Sequence, residues 1–247
     1  RLTKNSFNKW NRFSYTAEKI FSNFDLCLCS NIETKKYLEK FKANNIFFHG
    51  NIKLVFEEDE SMIKNINEKF LLKNKFWIAS STHAGEEYFC LKTHLEIKKK
   101  FNNIITIIAP RHIDRSKKIK LLSESLGLKT QILNKNEFII EGKEIIILNT
   151  FGELQKYFKF AKSVFIGKSI LKNLKNNSGQ NPIDAAKLNC KIYHGPYIFN
   201  FEEIYSLLTE HNISKKVENF IELSSFLIKD LENFEKNNNF ATSIKNL

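Results

Sequence analysis

The feature that most constrains this chain is a rhythm, in which short apolar runs rich in Ile, Val and Phe recur between segments of helical length. The runs fall near residues 75–80, 103–109, 129–133, 144–149, 163–167 and 190–194. Helix-like stretches near 85–100, 114–126, 151–161, 182–188 and 200–210 fill most of the gaps. Strands separated by helices of this length imply parallel βαβ units, with helices covering both faces of one sheet. The expected fold class is therefore α/β, a doubly wound parallel sheet. A smaller series precedes it, with a buried strand at 25–29, a helix at 31–42 and a strand at 45–49. The acidic run Glu57-Glu58-Asp59-Glu60 separates the two series. The domain reading is thus 1–56, a linker at 57–60, a main domain at 61–231, and an Asn- and Lys-rich tail at 232–247.

In a sheet of this kind ligands bind beyond the carboxyl ends of the strands, so the turns there carry the functional reading. The first such turn is Ser80-Ser81-Thr82-His83-Ala84-Gly85-Glu86-Glu87. Ser81 or Thr82 can cap the next helix, and Glu86 and Glu87 suit the positive end of its dipole. Capping leaves His83 and Gly85 unexplained. The second turn is Ala109-Pro110-Arg111-His112, followed by Arg115. The apolar strand stops at Pro110, so Arg111 should emerge at the sheet edge, where a guanidinium can grip a phosphate bidentately as charge grows on it. The plainer reading is a surface Arg paired with a neighbouring acid.

The third turn is Asn149-Thr150-Phe151-Gly152-Glu153-Leu154, with Thr150 and Glu153 at capping-box spacing. Its backbone N–H groups could also approach an anion. The fourth is Ser178-Gly179-Gln180-Asn181-Pro182-Ile183-Asp184-Ala185-Ala186. Asn181 fits the N-cap, Pro182 the first helical position, and Asp184 the third. A glycine-containing loop that opens a helix presents N–H groups to a phosphate, and Asp184 could accept hydrogen bonds from a ribose. Upstream, Gly167-Lys168-Ser169 ends a strand and could line the same crevice. Each motif alone is a weak signal. Four on the strand ends of one sheet are not.

These residues resemble the C-terminal half of the bacterial 3-deoxy-manno-octulosonic acid (Kdo) transferases, glycosyltransferases of the GT-B fold. The resemblance runs through Gly50-Asn51-Ile52-Lys53, the turn from Ser81 to Glu87, Ala109-Pro110-Arg111-His112 and Phe151-Gly152-Glu153-Leu154. It continues through Gly179-Gln180-Asn181-Pro182-Ile183-Asp184 and the stretch from Gly195 to Phe201. It implies an inverting transfer of Kdo from CMP-Kdo to a phosphorylated lipid A precursor, without metal or cofactor, at the cytoplasmic face of the inner membrane. Arg111 then corresponds to the group that meets the donor phosphate. Gly152 and Glu153 approach the nucleotide, and Gly179, Gln180, Asn181 and Asp184 hold phosphate and ribose. Thr82, His83, Glu86, His112 and Ser169 line the donor cleft. The family usually has paired glycines where this chain has Gly167-Lys168 and Ser178-Gly179, and a Glu where it has Asp184. The family's catalytic base is a carboxylate near the start of its N-terminal domain. This chain opens at Arg1-Leu2-Thr3 without an initiator Met and reads as a fragment that lacks that base.

Charge enters as a discriminator. The formal net charge is +12, and residues 1–56, with ten basic against four acidic side chains, carry half of that excess. In that stretch Trp10, Phe13, Tyr15, Ile20 and Phe21 alternate with Lys4, Lys9, Arg12 and Lys19. A basic segment with aromatic anchors can lie on an anionic membrane, whereas an ordinary amphipathic helix would turn its aromatic side into the core. No apolar run approaches the roughly 18 residues of a membrane span. Cys27, Cys29, Cys90 and Cys190 have no metal-like or redox-like spacing and read as small apolar residues in a reducing setting. Two other readings remain open at this level. One is a different GT-B nucleotide-sugar enzyme, such as an epimerase. The other is a non-catalytic basic module for membrane or nucleic acid, which leaves the four strand-end motifs unexplained, so nucleic acid is not an expected partner.

Overall fold

The computed structural model describes residues 2–48 and 60–232, with backbone alone at 175–177. His49, the Gly50-to-Lys53 motif, most of the acidic run and the tail beyond Glu232 lie outside the described residues. The chain divides into two compact units, Arg1–Glu57 and Glu58–Leu247.

The first unit holds helices α1 (Lys4–Asn11) and α2 (Ser14–Ser22), strand β1 (Cys27–Cys29), helix α3 (Ile32–Lys40) and strand β2 (Ile46–Phe48). Side chains cap two of its helices. The Ser6 N–H donates to Thr3 Oγ1 at 3.2 Å and the Thr34 N–H to Asn31 Oδ1 at 2.9 Å, each satisfying a donor that the helix itself leaves free. Phe7, Ala17 and Phe41 form its small core, and Phe7 stacks on Tyr37 with ring centroids 4.3 Å apart. The strands β1 and β2 pair in parallel, with Leu28 opposite Phe47 and both side chains exposed. The expected buried strand at 25–29 is therefore shorter, and within it only Cys29 is buried. The aromatic side of α1 and α2 is likewise only partly covered. Phe21 packs on the core, but Phe13 and Tyr15 are 69% and 70% exposed.

The second unit begins with helix α4 (Glu68–Lys73) and continues with β3 (Phe76–Thr82), α5 (Glu86–Lys98), β4 (Ile105–Pro110) and α6 (Ser116–Ser125). Strands β5 (Thr130–Leu133) and β6 (Ile145–Leu148) follow, then α7 (Gln155–Phe158), β7 (Ser163–Ile166), α8 (Ile183–Lys187) and β8 (Lys191–His194). It closes with α9 (Glu202–Glu210), β9 (Ser214–Lys216) and α10 (Phe220–Glu232). Among the described residues the strands form one sheet in the order β5-β6-β4-β3-β7-β8-β9, parallel throughout. Alternate residues of each strand feed opposite faces. Ile78, Ile107, Ile146, Val164 and Ile192 pack on one face with Tyr157, Ala185 and Tyr205 from α7, α8 and α9. Trp77, Ile108, Ile147, Phe165 and Tyr193 pack on the other with Leu91, Ile119 and Leu227 from α5, α6 and α10. The sheet is doubly wound, as the alternating pattern predicts.

One polar knot sits in this second layer. Buried Asp230 of α10 accepts hydrogen bonds from Ser163 Oγ at 2.7 Å, Tyr193 Oη at 2.6 Å and Lys191 Nζ at 2.7 Å. It fixes α10 to β7 and β8. Burial, and then the adjacent Asp230 charge, push the Tyr193 hydroxyl far above its ordinary pKa. The expected helix at 151–161 shrinks to the single turn of α7. Glu153 pairs with Lys156 at 2.8 Å instead of returning to Thr150, so no side-chain cap forms there.

Candidate functional site

The carboxyl ends of β4, β3 and β7 are neighbours, and they carry the first two turns and Lys168 together. A bulge at Ser81, whose φ is +55°, shifts the register of β3 against β4. The Arg111 N–H then donates to the Thr82 carbonyl at 2.9 Å, and the Gly167 N–H to the Ser80 carbonyl at 2.8 Å. A Cβ on Gly167 would come within 2.7 Å of the Ser81 carbonyl oxygen, so the β7 turn lies directly on the β3 turn. Gly85 takes φ +96° to begin α5, which explains the glycine that capping did not. Neither Ser81 nor Thr82 caps that helix. Thr82, fully buried, donates its hydroxyl to Glu87 Oε1 at 2.9 Å.

Glu86 is the keystone of this region. Fully buried, its carboxylate accepts N–H groups from His83 (2.9 Å), Lys168 (2.6 Å), Ser169 (2.9 Å) and Ile170 (3.2 Å). Burial raises its pKa, against the pull of those four donors. Both oxygens are thus committed within the protein, and Glu86 ties the β3 turn to the β7 turn. Ser169 is also buried. Its hydroxyl donates to the Ile166 carbonyl at 2.6 Å and accepts the Gly195 N–H at 2.9 Å. A Cβ on Gly195 would lie 2.1 Å from the Ser169 carbonyl, so the β7 and β8 ends are in direct backbone contact.

The cations divide cleanly. Arg115 is held bidentately by Glu87, at 2.5 and 2.9 Å, and that hydrogen bonding raises its pKa. Arg111, one turn earlier, is exposed and forms no ion pair with a described residue. The paired surface Arg that a plain reading expects is Arg115. Half-buried Lys168 likewise has no ion-pair partner among the described residues. Its pKa is lowered by burial and then by the Arg111 charge. His83 and His112 stand edge to face with centroids 6.0 Å apart. Burial lowers the His83 pKa, Lys168 and His112 lower it further, and the Ser81 carbonyl opposes them. That carbonyl can only accept, so Nδ1, 3.1 Å away, carries the proton and Nε2 offers its lone pair.

The fourth turn joins the same floor. The Gly179 N–H donates to the Lys168 carbonyl at 2.7 Å, and Gly179 itself has φ +86°. Tyr205 Oη donates to the Gln180 carbonyl at 3.1 Å. Asn181 Oδ1 accepts the Ile183 N–H at 3.1 Å, but the N-cap falls on Pro182 with no side-chain capping bond, so α8 starts one residue later than expected and Asp184 is its second residue. Asp184 is half-buried and its carboxylate has no hydrogen bond or ion pair with a described residue. Gly152, at φ +76°, has open space where a side chain would stand. Its turn follows β6, beyond β4, and forms one flank of the strand-end row. Thus Thr82, Glu86 and Ser169 build the floor, while Arg111, His112, His83 and Asp184 keep polar groups available. The availability of Lys168 is the feature the sequence pattern left undefined. Among the described residues no His, Cys, Asp and Glu side chains group as a metal site.

No family model matches the chain. It is 26% identical over 215 residues to the 3-deoxy-D-manno-octulosonic acid transferase of Haemophilus influenzae, covering 85% of this chain and 49% of that protein. It is 28% identical over 210 residues to the enzyme of that name from Aquifex aeolicus, covering 83% and 54% respectively. This chain is a relative of the Kdo transferases. It spans about half the length of the curated relatives it matches. In structure it is similar to the C-terminal CMP-Kdo binding domain of WaaA from Acinetobacter baumannii, with a TM-score of 0.63 and 20% identity over 72% of this chain and 91% of that one. The likeness extends to the fold, a doubly wound parallel α/β sheet.

Proposed function

We propose that this chain forms the donor half of a Kdo transferase in lipopolysaccharide synthesis, holding CMP-Kdo while the sugar passes to a lipid A precursor. The observation that carries this reading is Arg111 at the carboxyl edge of β4, without an ion pair to any described residue, beside an Arg115 already bound to Glu87. A free guanidinium at a strand end is placed to hold the phosphate as it leaves with the cytidine and gains charge. Asp184 at the start of α8 is the ribose ligand, and the turn at Gly152-Glu153 approaches the base. Transfer also needs a base to deprotonate the acceptor hydroxyl. We assign that base outside these 247 residues, consistent with a chain that spans half of its relatives' length. The transfer is inverting and metal-independent in this reading. The exposed aromatics and lysines of α1 and α2 suit an anionic surface, here the cytoplasmic face of the inner membrane.

Calorimetric titration with CMP and UMP tests the donor assignment. CMP binds preferentially, and Arg111→Ala weakens it by about 1.5–3 kcal/mol, the range for a hydrogen bond to a charged group. Equal binding of CMP and UMP, or unchanged CMP affinity in Arg111→Ala, refutes it.

A further inference from the structure

Lys168 occupies an unusual position for its residue type. Its φ is +57°, in the left-handed region that a side chain bearing a Cβ enters at a cost. Its backbone is fully engaged there, with the N–H donating to Glu86 and the carbonyl accepting from Gly179. A glycine would make both bonds without the strain. Strain retained at a ligand-facing turn motivates a functional hypothesis for the side chain that imposes it.

The surroundings say what that side chain can do. β7 and β4 flank β3, so Lys168 and Arg111 emerge on either side of the Ser81–His83 turn. Glu86 lies near Lys168, but both its oxygens are occupied by backbone N–H groups. Neither Lys168 nor Arg111 has an ion-pair partner among the described residues, and His83 beside them is held towards its neutral form. The Arg111 charge disfavours that of Lys168 and the Glu86 carboxylate offsets this only in part, so a further anion reaching both cations would relieve the repulsion.

We propose that Lys168 is a second cationic ligand for the donor, acting across the β3 turn from Arg111 on an anionic oxygen of a CMP-linked sugar acid. This rests on the donor reading above and adds to it a specificity residue. The oxygen belongs to the phosphodiester or to the sugar's own carboxylate, and the probes below separate the two.

The experiment titrates wild type, Lys168→Gly and Lys168→Arg with CMP and with CMP-N-acetylneuraminic acid, a CMP-linked sugar acid, and records melting curves. Lys168→Gly should weaken binding by about tenfold while melting at or above wild type, because it relieves the left-handed strain and keeps both backbone bonds. Lys168→Arg should restore affinity. Equal weakening for both probes places Lys168 on the phosphate, and weakening of the sugar acid alone places it on the carboxylate. A purely structural Lys168 would lose melting temperature and affinity together, which overturns the proposal. So does a Lys168→Gly variant that binds both probes as wild type does, with the donor reading left standing. If wild type binds neither probe, the donor reading fails and this inference with it.

Discussion

Replacing Glu86 should cost this protein much of its stability, and the cost can be worked from four bonds. The carboxylate accepts N–H groups from His83, Lys168, Ser169 and Ile170 at 2.6–3.2 Å. Removing the acceptor in Glu86→Ala leaves all four donors unpaired at once. His83, Lys168 and Ile170 are only half-buried, so water can replace part of what they lose, whereas Ser169 is fully buried. An unsatisfied buried donor costs roughly 1–3 kcal/mol, and a partly rehydrated one costs less. The lost ionic acceptor, one stranded donor and three weakened ones together give about 3–5 kcal/mol. Raising a carboxylate's pKa by burial works in the opposite sense, since the buried charge is itself unfavourable, so the lower end is the safer figure. At roughly 2–4 °C per kcal/mol for a domain of this size, melting should fall by about 6–20 °C. Hydrogen exchange offers a local check, because the amides of Lys168, Ser169 and Ile170 should lose protection before the rest of β7. Glu86→Gln keeps one carbonyl acceptor and should fall between the two. A Glu86→Ala protein that melts within about 2 °C of wild type, with those amides still protected, would refute the reasoning.

Three further outcomes follow from named groups. His94 and His194 are buried, and burial holds each near a pKa of about 4. An unfolded histidine titrates near 6.5, so the unfolded chain binds more protons between those values and stability falls as pH falls through that window. Each site contributes about 2 kcal/mol of loss between pH 7 and pH 5, and urea midpoints unchanged over that range would contradict it. Asp230→Ala strands the buried hydroxyls of Ser163 and Tyr193 and should destabilise by about 3–5 kcal/mol in chemical denaturation. Lys191→Met, whose partner keeps two other donors, should cost under about 1 kcal/mol; equal losses in the two variants would sink the assignment of Asp230 as the centre of the knot. In a complete enzyme, Asp184→Ala should raise the KM for CMP-Kdo with kcat little changed, because a ribose contact is made equally in ground and transition states; steady-state kinetics showing a kcat loss alone would speak against that role.

The sheet was legible because its strands are written as short β-branched apolar runs, such as Ile145–Leu148, alternating with helix-length segments, which suits strands buried on both faces. The edge was not. Ser214-Lys215-Lys216 has no strand propensity, and becomes β9 only because β8 offers a free ladder beside it. The length of α7 was misread because Thr150 and Glu153 have the spacing of a capping box, while Glu153 finds Lys156 nearer. At the site, Arg111 and Asp184 could be placed from the strand and helix ends alone. Glu86 could not. Its partners at 168–170 are more than 80 residues away, and nothing in local spacing separates a first-turn glutamate that faces solvent from one that binds a distant turn. The pairing that frees Arg111, between Arg115 and Glu87, is equally a tertiary fact.

The close approach at Gly167 and Gly195 bears on how such a crevice can diversify. A side chain at either position would collide with backbone at 2.7 or 2.1 Å, and backbone cannot rotate aside as a side chain can. Ser169 is locked between them by its own hydroxyl bonds. Position 168 is therefore the one place along this stretch of floor where a new side chain can enter without dismantling the strand ends. Changes in the charge the crevice welcomes are channelled through a single codon, and a library randomised across 167–169 and 195 should return folded proteins that differ almost entirely at 168.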